Sequence, residues 1–378
     1  MEMENEYIQY NSLNTEQLFK IYNLLHFTYP DKMEHLNPVI DIIQENWRKA
    51  LKLNFPLFWV STIKQNKNNI ISSGTVWQYL NKGMIAQHLC SNHPVGSRMI
   101  FLGMLNKAKE KSNTGFIDSF QVYYRPQNKY SSKLFESQSL SAGKEFSEII
   151  PFNYHELPLL KSDCAGDIQL TEINDNKDSD YINFLIRQRG ELFVNSQELN
   201  AEDIKLEKLN ARFQCHGLHR TRRIFTARIP SSNRVYGVIV INQSSIGLNF
   251  SFFENCCELI LCKDSNPELL LPIAHKLLFK ASEINASSPI EYIPVMTEPI
   301  HSGLVEKLKG KLTRNYNLFI MLKGGYQKCY EQVDLLTNSI FARFNRNSLK
   351  NSNSEYSKYT GMIIANSTDI LGANQKHL

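Results

Sequence analysis

Met84-Ile85-Ala86-Gln87-His88-Leu89, followed after a short gap by His93-Pro94-Val95-Gly96-Ser97-Arg98, is the stretch whose reading decides the fold. The first run is mostly apolar, short and free of Pro and Gly, the signature of a strand. The second is a turn that opens a helix reaching about Lys111. Gly96 would let backbone come close to a ligand, Ser97 offers a hydroxyl and Arg98 adds charge. A Pro-Gly turn with a serine cap before a core helix explains the same residues, so phosphate binding and an ordinary turn both stand. Upstream, Leu57 to Thr62 and Ile70 to Tyr79 read as strands, with turns at Lys64 to Asn69 and Asn81-Lys82-Gly83, making an antiparallel meander.

Further out the elements continue in order. Tyr7 to Tyr10 is a strand. A helix follows with apolar residues at 18, 21, 22 and 25, ended by Pro30. Asn37-Pro38 opens a second helix that aligns Val39, Ile42, Ile43, Trp47 and Ala50. Beyond the phosphate-like turn come a strand at Phe116 to Tyr124, a helix capped by Arg125 to Asn128, and a closing strand at Phe146 to Phe152.

The same order then returns at low residue identity. Ile168 to Ile173 is a strand, with helices near 181–194 and 201–215. Arg223 to Arg228, Val235 to Asn242 and Leu248 to Leu261 form a second meander. Helices at 267–283 and 301–312 flank a strand at Ile290 to Val295. Tyr316 to Lys323 and Gln327 to Val333 are expected to close the unit as a hairpin around Gly324-Gly325. The expected division is residues 1–157 and 167–337 as two α/β domains, 158–166 as linker, and 338–378 as a flexible polar tail.

This doubled order resembles the GNAT acyltransferase superfamily written twice, over about residues 7–336. The resemblance implies two tandem domains, each a mixed, mostly antiparallel twisted sheet flanked by helices. It also implies an acyl-coenzyme A site, for acetyl-CoA or another acyl-CoA not tightly bound. In that family the fourth strand splays from its neighbour and a glycine-rich loop at a helix start holds the pyrophosphate. On this chain those roles fall on Leu89, Val95, Gly96, Ser97 and Arg98. Only one glycine is present, and the family's opening Arg/Gln is not at the matching place. The second half offers Cys262-Lys263-Asp264-Ser265-Asn266-Pro267-Glu268, which has no glycine and carries two acids that repel a pyrophosphate.

N-acyl transfer needs a base for the amine and an acid for the leaving thiolate. His88, Tyr124 and Tyr130 are the candidates, Tyr123 lying beside them. Each has a plain packing alternative. Trp59 and Trp77 read as core, with a pocket wall as the alternative. Arg220, Arg222 and Arg223, with His216 and His219, read as a solvated basic turn or an anion contact. Glu254 and Glu258 are expected on one face of one strand.

The chain has 378 residues, 42% of them hydrophobic, and a net charge of +5, so each half can bury a core while the charge attracts anions only mildly. Seven cysteines, an odd number without paired CxxC spacing, suggest reduced thiols, a cytoplasmic setting and no zinc. No apolar run has membrane-spanning length. No GxxxxGK[ST], GxGxxG after a strand, HExxH or GxSxG motif is found, which excludes the common nucleotide hydrolases, dinucleotide oxidoreductases, zinc proteases and serine hydrolases. The leading expectation is an N-acyltransferase acting on a small-molecule or protein amine, with its donor site in the first half. A catalytically inactive regulatory protein, with the tail recruiting a partner, is the alternative. Transfer-RNA association, suggested by the basic residues near 220–223 and 343–350, ranks last.

Overall fold

A computed structural model describes residues 9–10, 13–65, 70–163, 166–232 and 234–335. The expected tail, the start of the first strand, the 66–69 turn and Cys164 lie outside the described residues. In the first half the elements are β1 (Gln9–Tyr10), α1 (Thr15–Leu24), α2 (Pro30–Leu36), α3 (Ile40–Ala50), β2 (Phe58–Gln65), β3 (Ile70–Gln78), β4 (Gly83–Ser91), α4 (Pro94–Asn113), β5 (Ser119–Tyr124), α5 (Lys129–Ala142) and β6 (Ser147–Pro158). The second half contributes β7 (Gln169–Ile173), α6 (Ser179–Arg189), α7 (Glu191–Ser196), α8 (Glu207–Gln214), β8 (Arg220–Arg228), β9 (Val235–Ser244), β10 (Cys257–Leu261), α9 (Pro267–Asn285), β11 (Tyr292–Thr297), α10 (Ser302–Lys307) and β12 (Lys311–Leu322).

The local signals act as the sequence suggests. Asn14 and Gln17 form a reciprocal capping box at the start of α1 (2.9 and 3.1 Å), satisfying two amides that a helix start leaves without partners. Pro30 does not merely end α1. It is the first residue of α2, where its missing N–H costs nothing. Ile43, Trp47 and Ala50 are buried on one face of α3, whereas Ile42 turns outward.

Among the described residues the strands form one mixed sheet of twelve, in the order β1-β2-β3-β4-β5-β12-β6-β11-β10-β9-β8-β7. Each half contributes a meander and a parallel pair, β4 with β5 and β10 with β11. The last strand of each half has crossed over. β12, from the second half, lies against β5, and β6, from the first, lies against β11. The two exchanged strands pair antiparallel at the centre, from Lys311↔Glu156 to Met321↔Ser147.

Packing follows the exchange. On β12 the side chains alternate. Phe319 and Met321 enter the core between the first-half sheet, α4 and α5, while Tyr316, Leu318 and Ile320 enter the second-half core. Ile150, Phe152, Tyr154 and Leu157 of β6 likewise pack with the second half. A third core joins α1, α3 and Trp77 to Leu209, Phe213 and Leu248.

Other expectations change as well. Residues 326–335 are helical, not the second arm of a hairpin. Tyr326, Cys329 and Val333 recur at helical spacing and pack on the first half, where the Cys329 thiol donates to the Gln138 carbonyl. The expected strand at 248–261 shrinks to β10, and Glu254 sits in a 3-10 turn, so it shares no strand face with Glu258. The helix expected at 181–194 breaks at Gly190 (φ +84°). The arginines of the basic cluster are not a solvated turn. Arg220 is fully buried, donating to the carbonyls of Tyr79 and Glu254 and to Asn242 Oδ1 (2.8–3.0 Å). Arg222 is 2% exposed and clamps the carbonyls of Gln197, Glu198 and Ile204. Arg223 grips Glu172 with two bonds of 2.9 and 2.7 Å.

Candidate functional site

β4 and β5 pair only from Gly83↔Ser119 to Ala86↔Val122, then part. The cause lies on the other edge of β4. Its register with β3 slips between Ser73↔Cys90 and Thr75↔Gln87, so His88 and Leu89 stand opposite Gly74 alone. That is a β-bulge, with His88 in the left-handed region (φ +54°). A Cβ on Gly74 would press on Met104 and Ile100 of α4, so glycine there lets the helix lie close to the bulged strand. The opening holds a cavity of about 60 Å³, lined by Ala86 to Leu89 of β4, Val122 to Tyr124 of β5, and side chains of α4, α5 and Phe27.

Ser97, Arg98 and Tyr130 meet at the start of α4. The Ser97 hydroxyl lies 3.0 Å from the Tyr130 phenol and donates to the Pro94 carbonyl (2.9 Å), and the Arg98 guanidinium lies 5.9 Å from the Tyr130 ring centre. Two nitrogens of Arg98, Nε and Nη1, are buried without an acceptor. A guanidinium held this way suits an incoming anion. The Val95 N–H, by contrast, donates to His93 Nδ1 (3.2 Å), and the Ser97 N–H to the His93 carbonyl (3.3 Å). Gly96 faces the sheet. A Cβ there would overlap the Ser72 hydroxyl and stand 2.8 Å from Ile70 and 2.9 Å from the Ser91 hydroxyl. Close helix-to-sheet packing is therefore the observed reason for this glycine.

His88 is 7% exposed, stacked on Trp47 (5.4 Å, 21°) and edge-on to Tyr22 and Phe27. Its Nε2 accepts from the Phe250 N–H (3.1 Å), which places the ring proton on Nδ1, itself buried without a partner. Burial, and secondarily the charge of Lys32, hold the imidazole neutral well below its usual range. Phe250 belongs to the β9–β10 connection of the second half. That segment reaches into the first half. Asn46 and Trp47 donate to the Ile246 and Gly247 carbonyls (2.9 and 2.7 Å), and Gln87 bonds Leu248 and Asn249. Tyr124 borders the cavity and accepts from Asn317 of β12 (3.3 Å). Burial raises the pKa of both Tyr124 and Tyr130. The structure thus gathers Ser97, Arg98 and Tyr130 in one place and His88, Leu89 and Tyr124 around the cavity. Trp59 and Trp77 pack in separate cores.

The corresponding place in the second half is filled by charges. Arg189 bridges Glu258 (3.2 Å) and Glu298 (3.0 Å), and Lys263 also holds Glu298 (2.9 Å). Burial raises the Glu258 carboxyl to about 7, with Arg189 opposing. Gln188 accepts from the Lys263 N–H at 2.9 Å.

The architecture is similar to solved GNAT structures. They include a tandem GNAT protein from the clavulanic acid biosynthesis pathway (8% identical, 84% of this chain and 98% of that one, TM-score 0.37). A GCN5-related N-acetyltransferase from Sphaerobacter thermophilus is 9% identical over 84% of this chain and 96% of that one, TM-score 0.41. Saccharomyces cerevisiae N-myristoyltransferase with bound myristoyl-CoA is 8% identical over 85% and 79%, TM-score 0.36. No family model matches the sequence, and no curated protein does. Among the described residues no helix is long and apolar enough to cross a membrane.

Sequence reading missed two contributors. The inserted 245–250 segment has no local signal for its reach into the first half, because its partners there lie more than 150 residues away. Lys32 had one: it shares the buried face of α2 with Leu36, four residues on, where an apolar side chain is expected.

Proposed function

We propose that the chain transfers an acyl group from an acyl-coenzyme A thioester to an amine, with the donor held by the first half. The observation that carries this is the parting of β4 from β5 after Ala86, at a bulge that exposes main chain to a cleft. An extended pantetheine-like chain pairs with such an edge at His88 and Leu89. Arg98, with two buried nitrogens lacking an acceptor, and Ser97 suit the pyrophosphate. Gly96 contributes by seating α4 against the sheet, and Val95 offers its N–H once the His93 ring turns away. Bound acyl-CoA supplies the activated thioester. Tyr124 and Tyr130 stay protonated at neutral pH and are the acids available to a leaving thiolate. His88 carries no lone pair toward the cleft while Phe250 holds Nε2, so its service as base requires that bond to open.

Calorimetric titration of the full chain with acetyl-CoA and longer acyl thioesters tests the reading. Arg98→Gln is expected to weaken binding about tenfold, the worth of one charge-assisted contact. Absence of heat at every chain length overturns the proposal. One observation favours a second reading, a non-enzymatic interaction protein: the cavity of about 60 Å³ is too small for a pantetheine arm unless the cleft widens. Recovery of a single stoichiometric partner without thioester binding would select it.

A further inference from the structure

The two ring nitrogens of His88 meet different surroundings. Nε2 lies 3.1 Å from the backbone nitrogen of Phe250, a group that can only donate. Nε2 therefore presents its lone pair, and the neutral ring carries its proton on Nδ1. A charged ring would aim a second proton at the Phe250 N–H, and burial already holds the imidazole neutral. Nδ1–H is then a donor fixed in place, buried and without an acceptor among the described residues. A buried donor left bare is costly, and its position marks where an acceptor is missing.

The ring is held where it stands. It stacks on Trp47 and has Phe27 and Phe250 at 5.2 and 4.4 Å between ring centres. Its backbone is kept in the left-handed region (φ +54°), a strain that the surrounding packing must sustain. The segment that carries Phe250 is pinned in turn. Trp47 donates to the Gly247 carbonyl (2.7 Å), Gln87 to that of Leu248, and Asn249 to Gln87 Oε1 (2.6 Å). His88 also borders the cavity where β4 and β5 part.

We propose that His88 acts in acyl transfer as a neutral hydrogen-bond donor, its Nδ1–H meeting the thioester carbonyl oxygen, with the Phe250 main chain fixing the tautomer. This assignment rests on the transfer reading above. The amine lone pair attacks the carbonyl carbon and the C=O pair moves onto oxygen, where Nδ1–H stabilises it. The pair then returns, the C–S bond breaks, and the thiolate takes the proton of Tyr124. The surplus proton of the amine leaves through water, from which Tyr124 is restored. His88 neither gains nor loses a proton. A donor held in place before charge develops needs no reorganisation when it does. Phe250 is a positioning residue, acting through its N–H. The second half, whose own counterpart place is filled by Arg189 and its carboxylates, thereby serves the site of the first.

The tautomer is tested on the unliganded full chain by NMR of 15N-labelled histidine from about pH 6 to 8. The His88 signals, assigned against His88→Asn, are expected to show Nδ1 protonated and Nε2 bare throughout. A proton on Nε2 overturns the proposal. Calorimetry then compares acetyl-CoA with S-ethyl-CoA, a thioether that keeps the arm and lacks the carbonyl. The wild-type chain is expected to prefer acetyl-CoA about three- to tenfold, the worth of one hydrogen bond. The 13C carbonyl signal of labelled acetyl-CoA should move downfield on binding. His88→Leu should bring both ligands to equal affinity and abolish that move. His88→Asn should restore both, since its amide nitrogen falls where Nδ1 stands and asparagine tolerates left-handed backbone. The wild-type measurements decide the matter even where a variant fails to fold. An unmoved carbonyl signal, or a preference that survives in His88→Leu, overturns this role and leaves the transfer reading standing. No binding of either ligand removes the transfer reading and this role together.

Discussion

A lysine on the buried face of a short helix destabilises the fold that contains it. The Lys32 ammonium titrates near 7 in the folded protein against 10.5 when solvated, so between those values the unfolded chain binds more protons and stability rises with pH. The penalty is complete below about pH 7 and is relieved above it. Lys32→Met should therefore gain about 2 kcal/mol at pH 6 and less at pH 9, as read by urea unfolding. An equal gain at both pH values would mean that the lysine is already paired. Arg220 behaves in the opposite way, since each of its three guanidinium nitrogens has an acceptor, and Arg220→Met should lose about 3 kcal/mol by leaving the Tyr79 and Glu254 carbonyls bare. Nothing local distinguishes these two basic residues. The difference comes from what the rest of the chain places around them.

Among the elements, the bulge in β4 and the segment inserted from between β9 and β10 act as one device. The bulge turns His88 inward, and the Phe250 N–H meets it. Phe250→Ala should cost about 3–4 kcal/mol in chemical denaturation through the cavity it leaves. It should also let water reach the imidazole, so that His88 titrates closer to the ordinary histidine range by NMR. An unchanged His88 titration would show that burial by Trp47 and Tyr22 suffices. Glu254 anchors the same segment by accepting from the Gly247 N–H at 2.8 Å, and burial raises its pKa to about 8. The fold takes up a proton there between about pH 4.5 and 8, so stability falls as pH rises through that window. Glu254→Gln should accordingly stabilise at pH 8 and change little at pH 5. Gly96→Ala should push α4 off the sheet and cost about 1–3 kcal/mol, measurable as a lower urea midpoint.

For the whole molecule, the exchanged strands make the halves interdependent. Without β12, β5 and β6 become open edges, and Phe319 and Met321 leave the first-half core. Residues 1–160 expressed alone should aggregate or show poor amide dispersion, while the two halves co-expressed as separate chains should co-purify. A monomeric first half that unfolds cooperatively would show that β6 can return to β5 within its own half.

The repeated element order, the meanders and the strand-turn-helix at 84–98 were legible in the sequence, because period and capping are local properties of neighbouring residues. The candidate site was legible in part. Ser97, Arg98 and Tyr130 do meet, yet the reason for Gly96 lies in Ser72 and Ser91 across a packed interface. The sequence by itself determined which segments become strands and helices and that two similar units follow each other. Only the tertiary structure decided that their last strands trade places, that Phe250 reaches His88, and that Lys32 is buried against Phe27 and Tyr29. Those outcomes depend on which distant surfaces bury each other, and no residue carries that choice in its immediate neighbours.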